Sequence, residues 1–188
     1  MIPRLEAMRL IAQQPQDIVV ITAMSVASEW MSLESDKLEM PMPACMGKAS
    51  SLGLGLALAC PERKFVVLDG DGSLLMNLGS LVTIAQQSPQ NLVHFVFQNN
   101  MYERTGGQPI PGRDKLSFVA LARGAGYPRT HEFEELAAFR EHLGPILDLP
   151  GPTLVVLHVT PGPRKTFRRT RLALEASQEL KAALAAKP

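Results

Sequence analysis

The stretch "KFVVLDGDGSLLMN" (residues 64–77) decides how the rest of the chain is read. An apolar run from Phe65 to Leu68 stops at two aspartates interleaved with glycines, Asp69-Gly70-Asp71-Gly72, and Ser73 then opens a pattern with helical spacing. A buried strand that ends this way needs something to hold its carboxylates. Glycines on both sides of Asp71 let the backbone approach a ligand closely. A helix starting at Ser73 presents free N–H groups, which favour an anion. One turn therefore offers a carboxylate to a hard cation and amide donors to a phosphate.

Upstream and downstream of this turn the same alternation repeats. "RLEAMRLIAQ" (4–13) has helical spacing and "DIVVITA" (17–23) reads as a buried strand. "MSVASEWMSLES" (24–35) is expected to be a helix and "KLEMPMPACMG" (37–47) irregular. "KASSLGLGLALAC" (48–60) is expected to be a helix in which close packing compensates for Gly53 and Gly55, with Pro61 closing it. "SLLMNLGSLVTIAQQ" (73–87) reads as one helix, and "NLVHFVFQN" (91–99) as a strand apolar on both faces. A long loop runs from Asn99 to about Lys115, and its Gly- and Pro-rich part "ERTGGQPIPGRDK" (103–115) has the composition of a loop that closes over substrate. "SFVALARGAG", a short strand near "PRTHEF", the helix "EELAAFREHL", the strand "TLVVLHV" and a peripheral C-terminal helix complete the chain. Strands alternating with helices predict a doubly wound α/β fold, a mainly parallel sheet with helices on both faces. The expectation is a single domain over 1–188, with a core at about 17–160 and a peripheral helix at 164–188. Ligands of such sheets bind beyond the carboxyl ends of the strands.

Composition narrows the function classes. The chain has 188 residues, 46% hydrophobic and 20% charged, with a formal net charge of +1. That balance is ordinary for a soluble globular protein and gives no field to recruit nucleic acid or a membrane surface. No apolar run approaches the roughly 20 residues that span a bilayer, and the N-terminus carries charges and glutamines instead of a signal-peptide core. Cys45 and Cys60, the two cysteines, suggest neither a disulfide scaffold nor a cluster site. A cytoplasmic protein is the default expectation.

The second motif sits at "FQNNMYERTGGQ" (97–108), where Asn99 ends the strand after the one that carries Asp71. Amide oxygens suit Mg²⁺, which binds phosphates through one or two protein oxygens plus water. A carboxylate and an amide at neighbouring strand ends, beside a helix N-terminus, make a Mg–diphosphate site.

"GDGS" followed by about 25 residues and "NN" resembles the thiamine diphosphate signature of 2-oxo-acid decarboxylases and their relatives. The resemblance runs from about Asp17 to Thr160. Within that superfamily, "CMGKASSLGLGLALACPERKFVVLDGDGSLLMNLGSLVTIA" and "NNMYERTGGQP" look closest to the sulfopyruvate decarboxylase β subunit and phosphonopyruvate decarboxylase. The resemblance implies thiamine diphosphate and Mg²⁺ as cofactors, with Asp71 as a metal ligand. It offers either Asn99 with the Met101 carbonyl or Asn100 with the Tyr102 carbonyl as the others; the register of "TGGQ" favours Asn99. Gly72 and Ser73 would contact the diphosphate and Gly70 would permit the turn. In "PACMG", Met46 before Gly47 would prop the bent cofactor, the Ala44 carbonyl would accept a hydrogen bond from its aminopyrimidine, and Cys45 would lie alongside. Relatives commonly carry Gly where "TAMSVAS" has Ala23 and Met24, which weakens a phosphate contact from Thr22 or Ser25.

The superfamily's activating glutamate belongs to a pyrimidine-binding domain that no segment here resembles. The resemblance therefore implies that this chain holds no catalytic residue of its own. An α subunit would supply that domain, in an α₂β₂ or larger hetero-oligomer acting on a small 2-oxo acid that bears a sulfonate or phosphonate. The competing readings are another lyase or carboligase subunit and a non-catalytic cofactor-binding module. The remaining candidates receive plainer readings. His94 is a buried structural histidine; His131, His142 and His158 lack metal-ligand spacing; Glu29 is a helix-surface residue. The basic run Arg164, Lys165, Arg168, Arg169 and Arg171 is a solvated helix start before it is an anion site.

Overall fold

The computed structural model describes residues 1–160 and 170–185. Strands β1 (Ile2–Pro3), β2 (Ile18–Ala23), β3 (Leu38–Met42), β4 (Lys64–Gly70), β5 (Leu92–Gln98), β8 (Arg129–Phe133) and β9 (Thr153–Thr160) form a seven-stranded sheet. All its pairings are parallel, in the order β1-β9-β5-β4-β2-β3, with β8 also beside β9. β8 and β1 share one flank of β9: β8 pairs along Thr153 to Leu157 and β1 at Val159 and Thr160. The N-terminus thereby reaches the carboxyl edge of the sheet. A separate antiparallel pair, β6 (Met101–Tyr102) and β7 (Gln108–Pro109), shapes the loop after β5.

Strand alternation sorts the core into two layers. Val20, Val66, Leu68 and Phe95 face one side, against α1 (Arg4–Ala12), α2 (Met24–Trp30) and α7 (Leu136–Asp148). Val19, Ile21, Phe65, Val67 and Val96 face the other, against α3 (Ala49–Ala59), α5 (Gly79–Gln87), α6 (Phe118–Ala125) and α8 (Thr170–Ala185). Helices on both faces of a parallel sheet are the doubly wound arrangement expected from the alternation. The crossover after β2 leads outward to β3, whereas the crossover after β4 leads the opposite way to β5. The carboxyl ends of β2 and β4 therefore flank the switch point, where such sheets open a crevice.

The structure departs from the sequence reading at several points. "KLEMPMPACMG" is not irregular throughout: it holds β3, the edge strand along β2, covered by α8. Pro41 within it lacks an N–H, which an edge strand tolerates. The expected single helix over 73–87 is two, α4 (Asp71–Leu75) and α5, parted at Met76–Leu78. The Asn77 carboxamide, which donates to the Gly47 carbonyl at 2.9 Å and the Ser51 hydroxyl at 3.2 Å, holds that break. Close packing justifies Gly53, where a Cβ would lie 2.4 Å from Val67 Cγ2, but not Gly55, whose Cβ would meet nothing within 4 Å. Arg164, Lys165, Arg168 and Arg169 lie outside the described residues, as does the side chain of Arg171.

Candidate functional site

A cleft of about 440 Å³, partly open to solvent, lies at the switch point. One wall is Ala23, Met24, Ser25 and Val26, at the end of β2 and the start of α2; the floor is Gly70, Asp71, Gly72 and Ser73, at the end of β4. Asn99, Met101 and Tyr102 form the opposite wall and Met46 closes one side. The two motifs separated in sequence by an entire crossover thus meet because β4 and β5 are paired in register, Gly70 beside Phe97.

Asp71 is 2% exposed, and its carboxylate ties the walls together. Oδ1 accepts from the Gly72 N–H at 2.7 Å; Oδ2 accepts from the Asn99 N–H at 3.0 Å and the Asn100 N–H at 2.6 Å. Burial pushes the Asp71 carboxyl up to about 6, against the lowering effect of those N–H bonds. The backbone donors thus leave the negative charge under-compensated, which is the condition a bound cation relieves. Among the described residues no group of three or more His, Cys, Asp or Glu side chains is arranged to hold a metal ion. A cation at this place would need Asp71 plus amide, carbonyl and ligand oxygens, the hard donor set of Mg²⁺.

The two asparagines differ. Asn99 lines the cleft and its Oδ1 accepts from the Met101 N–H at 3.0 Å. Asn100 sits at φ +62° and its Oδ1 accepts from Gln98 Nε2 at 3.0 Å, so its side-chain oxygen is engaged outside the cleft lining. Gly72 is the point of closest approach: a Cβ there would fall 2.6 Å from Tyr102 Cδ1. The Ser73 hydroxyl accepts from the Gly47 N–H at 3.0 Å, and Gly47 adopts φ +68°, so the segment carrying Met46 is fastened to the β4 turn. Ala44 and Cys45 are exposed and lie beside this segment, not in the cleft lining. Because α4 is a single five-residue piece, the floor offers amide donors and not the macrodipole of a long helix.

Met24 takes φ +51°, a left-handed conformation that costs a non-glycine residue about 1–2 kcal/mol. The backbone thus keeps a glycine-like turn at the cleft although the residue is methionine. Ser25 lines the cleft, whereas Thr22 is fully buried with its hydroxyl unpartnered.

Several residues at the site carried no sequence signal. Arg4, 4% exposed, enters the cleft from the start of α1 and donates to Glu29 through Nε at 3.0 Å and Nη2 at 2.5 Å. Its Nη1 donates to Glu103 Oε2 at 2.8 Å. Glu29 is therefore 3% exposed in this ion-pair cluster and not on a helix surface; a partner 25 residues away turned it inward. Glu103 and Arg104, on the short 3-10 turn Glu103–Thr105, also line the cleft. His94 is buried as expected, with Nε2 3.8 Å from Asp69 Oδ2, while Asp69 Oδ1 accepts from the Gly70 N–H at 2.9 Å. No helix among the described residues is long and apolar enough to cross a membrane.

Comparison with known proteins agrees with this geometry. Residues 29–157 match the family model described as thiamine pyrophosphate enzyme, C-terminal TPP binding domain. A phosphonopyruvate decarboxylase of Streptomyces viridochromogenes is 39% identical over 155 residues, covering 82% of this chain and 38% of that protein. The sulfopyruvate decarboxylase subunit beta of Methanothermobacter thermautotrophicus is 39% identical over 163 residues, covering 86% of this chain and 84% of that subunit. The chain thus spans about two fifths of the length of the phosphonopyruvate decarboxylases it matches and most of that beta subunit. Among solved structures, a benzoylformate decarboxylase from Polynucleobacter necessarius superposes with a TM-score of 0.70 at 21% identity, over 87% of this chain and 33% of that one, a likeness of fold. The chain belongs to the thiamine pyrophosphate enzymes, as a C-terminal TPP binding domain.

Proposed function

We propose that this chain is the diphosphate- and Mg²⁺-binding β subunit of a thiamine diphosphate-dependent decarboxylase acting on a 2-oxo acid that bears a sulfonate or phosphonate. The observation that carries the reading is the Asp71 carboxylate, buried at the switch point and bridging to the N–H groups of Asn99 and Asn100. The likeness to the sulfopyruvate decarboxylase subunit beta supports the split arrangement, because this chain covers 84% of that subunit. The likeness to phosphonopyruvate decarboxylase supports the phosphonate alternative.

When bound, thiamine diphosphate supplies the nucleophilic carbon and the electron sink that decarboxylation of a 2-oxo acid requires. This chain's part is to bind and orient. Asp71 and Asn99, with the Met101 carbonyl, would hold the metal; Gly72 and Ser73 would meet the diphosphate, whereas Gly70, extended at φ −92° with open space where a Cβ would lie, is not required as glycine by the turn. The cleft-facing position of Asn99 favours it over Asn100 and the Tyr102 carbonyl. Met46 would support the middle of the cofactor, with the Ala44 carbonyl as an acceptor for its aminopyrimidine. Glu103 is a carboxylate in the cleft, but Arg4 holds it. The glutamate that activates the cofactor is therefore assigned to an α subunit carrying the pyrimidine-binding domain, in an α₂β₂ or larger cytoplasmic assembly.

The test is co-expression with a candidate α subunit, followed by CO₂-release assays on sulfopyruvate and phosphonopyruvate. Turnover is expected only from the pair, with the two substrates ranking the sulfonate and phosphonate readings. Robust turnover by the isolated chain would overturn the split-subunit reading, and cofactor binding without turnover of any 2-oxo acid would favour a non-catalytic module.

A further inference from the structure

Arg104 stands apart from the other charged residues of the cleft. Asp71 is committed to backbone N–H groups, and Arg4 is committed to Glu29 and Glu103. Arg104 lines the same cleft, yet none of the ion pairs among the described residues includes it. Its guanidinium reaches across the mouth from the wall after β5 to the opposite side. Nη1 donates to Ser28 Oγ at 3.5 Å and Nη2 to the Pro43 carbonyl at 3.4 Å. Both are neutral acceptors at the outer limit of hydrogen-bond length, so a stronger acceptor takes the guanidinium from them at little cost. The position itself is fixed. Glu103, the preceding residue, is pinned by the buried Arg4, so the turn carrying Arg104 is anchored while its side chain is exposed at the cleft.

A planar fork of N–H donors in a cleft with no carboxylate partner matches the geometry of a tetrahedral oxyanion. The geometry points to Arg104 as an oxyanion-binding residue at the cleft mouth, taking either the outer phosphate of a diphosphate or the sulfonate or phosphonate of the substrate. The inference deepens the function proposed above and rests on that reading for the nature of its ligands. Arg104 acts by binding: no bond is made or broken at it.

Two arms of one experiment separate the sources, using the complex with its α subunit, as wild type, Arg104→Gln and Arg104→Lys. In the first arm, calorimetric titration with thiamine diphosphate and with inorganic pyrophosphate, each with Mg²⁺, reads the diphosphate. In the second, KM is measured for sulfopyruvate, for phosphonopyruvate and for pyruvate, which lacks the second anion. Arg104→Gln is expected to weaken one arm at least tenfold while sparing the other, and Arg104→Lys to recover part of the loss. A substrate role raises KM for the two anionic acids and not for pyruvate; a diphosphate role weakens both titrations and leaves the three KM values unchanged at saturating cofactor. Unchanged behaviour in both arms overturns the inference, as does a uniform loss that Arg104→Lys does not recover and that tracks a lowered melting temperature. Failure of the proposed function shows differently, as a wild-type complex that turns over none of the three acids. The pyrophosphate titration alone then decides on Arg104: a tenfold loss upholds it and no loss removes it.

Discussion

Gly53 and Gly55 sit two residues apart in α3, and exchanging each for alanine should have opposite effects. Alanine at an exposed helical position gains about 0.8–1.0 kcal/mol over glycine. Gly55 is exposed and a Cβ there meets nothing within 4 Å, so Gly55→Ala should collect most of that gain. At Gly53 the same propensity term is outweighed. Its Cβ would lie 2.4 Å from Val67 Cγ2 in the middle of β4 and 3.4 Å from Leu92 Cδ1 at the start of β5, both buried. Overpacking of a filled core costs about 1–3 kcal/mol, and a β-branched valine on a strand has little freedom to turn away. Gly53→Ala is therefore expected to destabilise by up to about 2 kcal/mol net of the helix gain. Urea unfolding of the isolated chain, followed by circular dichroism, reads both at once. The helix term is common to both, so thermal melting should separate the variants by the overpacking cost alone, roughly 2–12 °C at about 2–4 °C per kcal/mol for this size. Adding Val67→Ala to Gly53→Ala should return part of the loss, because it removes the clashing methyl. Equal effects at the two glycines would refute the reasoning, since both share the helix term and only one meets a neighbour.

Asp71→Ala should leave the circular dichroism spectrum intact but abolish Mg²⁺-dependent stabilisation by thiamine diphosphate, worth about 2.7 kcal/mol at one hundred times Kd; an undiminished melting shift would discredit the metal assignment. Arg4→Met should cost about 3–5 kcal/mol, because it leaves the buried Glu29 carboxylate without its cation. Adding Glu29→Gln should recover part of that, read from urea midpoints, and no recovery would mean that packing and not charge is lost. Burial, with Glu179 nearby, pushes the Glu39 carboxyl up to about 7. The folded chain therefore holds this proton more tightly than the unfolded one, so the contribution is present in full below the ordinary value and is lost as pH rises towards 7. Because Glu39 is only partly buried, the loss is on the order of 1–2 kcal/mol after screening. Glu39→Gln should flatten the decline in urea midpoint between pH 5 and pH 8, and an unaltered slope would assign it elsewhere.

The fold was legible because β2, β4, β5 and β9 are long, apolar on both faces and separated by helical periods. The two halves of the site were legible because the chemistry sits in short local motifs at the ends of β4 and β5. What escaped was set by distant partners. β1 has two residues, too few for any period, and only its pairing with Val159 and Thr160 reveals it. β3 buries one of its five residues and contains a proline, so it lacks the apolar run by which a strand is found. Glu29 has the spacing of a surface position, and its burial follows from Arg4, which the N-terminal strand delivers to the cleft. The break between α4 and α5 depends on an asparagine whose acceptors lie 26 and 30 residues away.

The fastening of Gly47 to the β4 turn sets a gauge. Ser73 holds the Gly47 N–H and Asn77 holds its carbonyl, so both polar groups of one peptide residue are tied to the segment that begins at Asp71. Met46 and Gly72 are consequently held in one bracket, with two hydrogen bonds resisting any change in the span between them. On the function proposed above, the cleft would then measure its ligand by length, favouring one whose anionic end reaches the β4 turn when its middle rests on Met46.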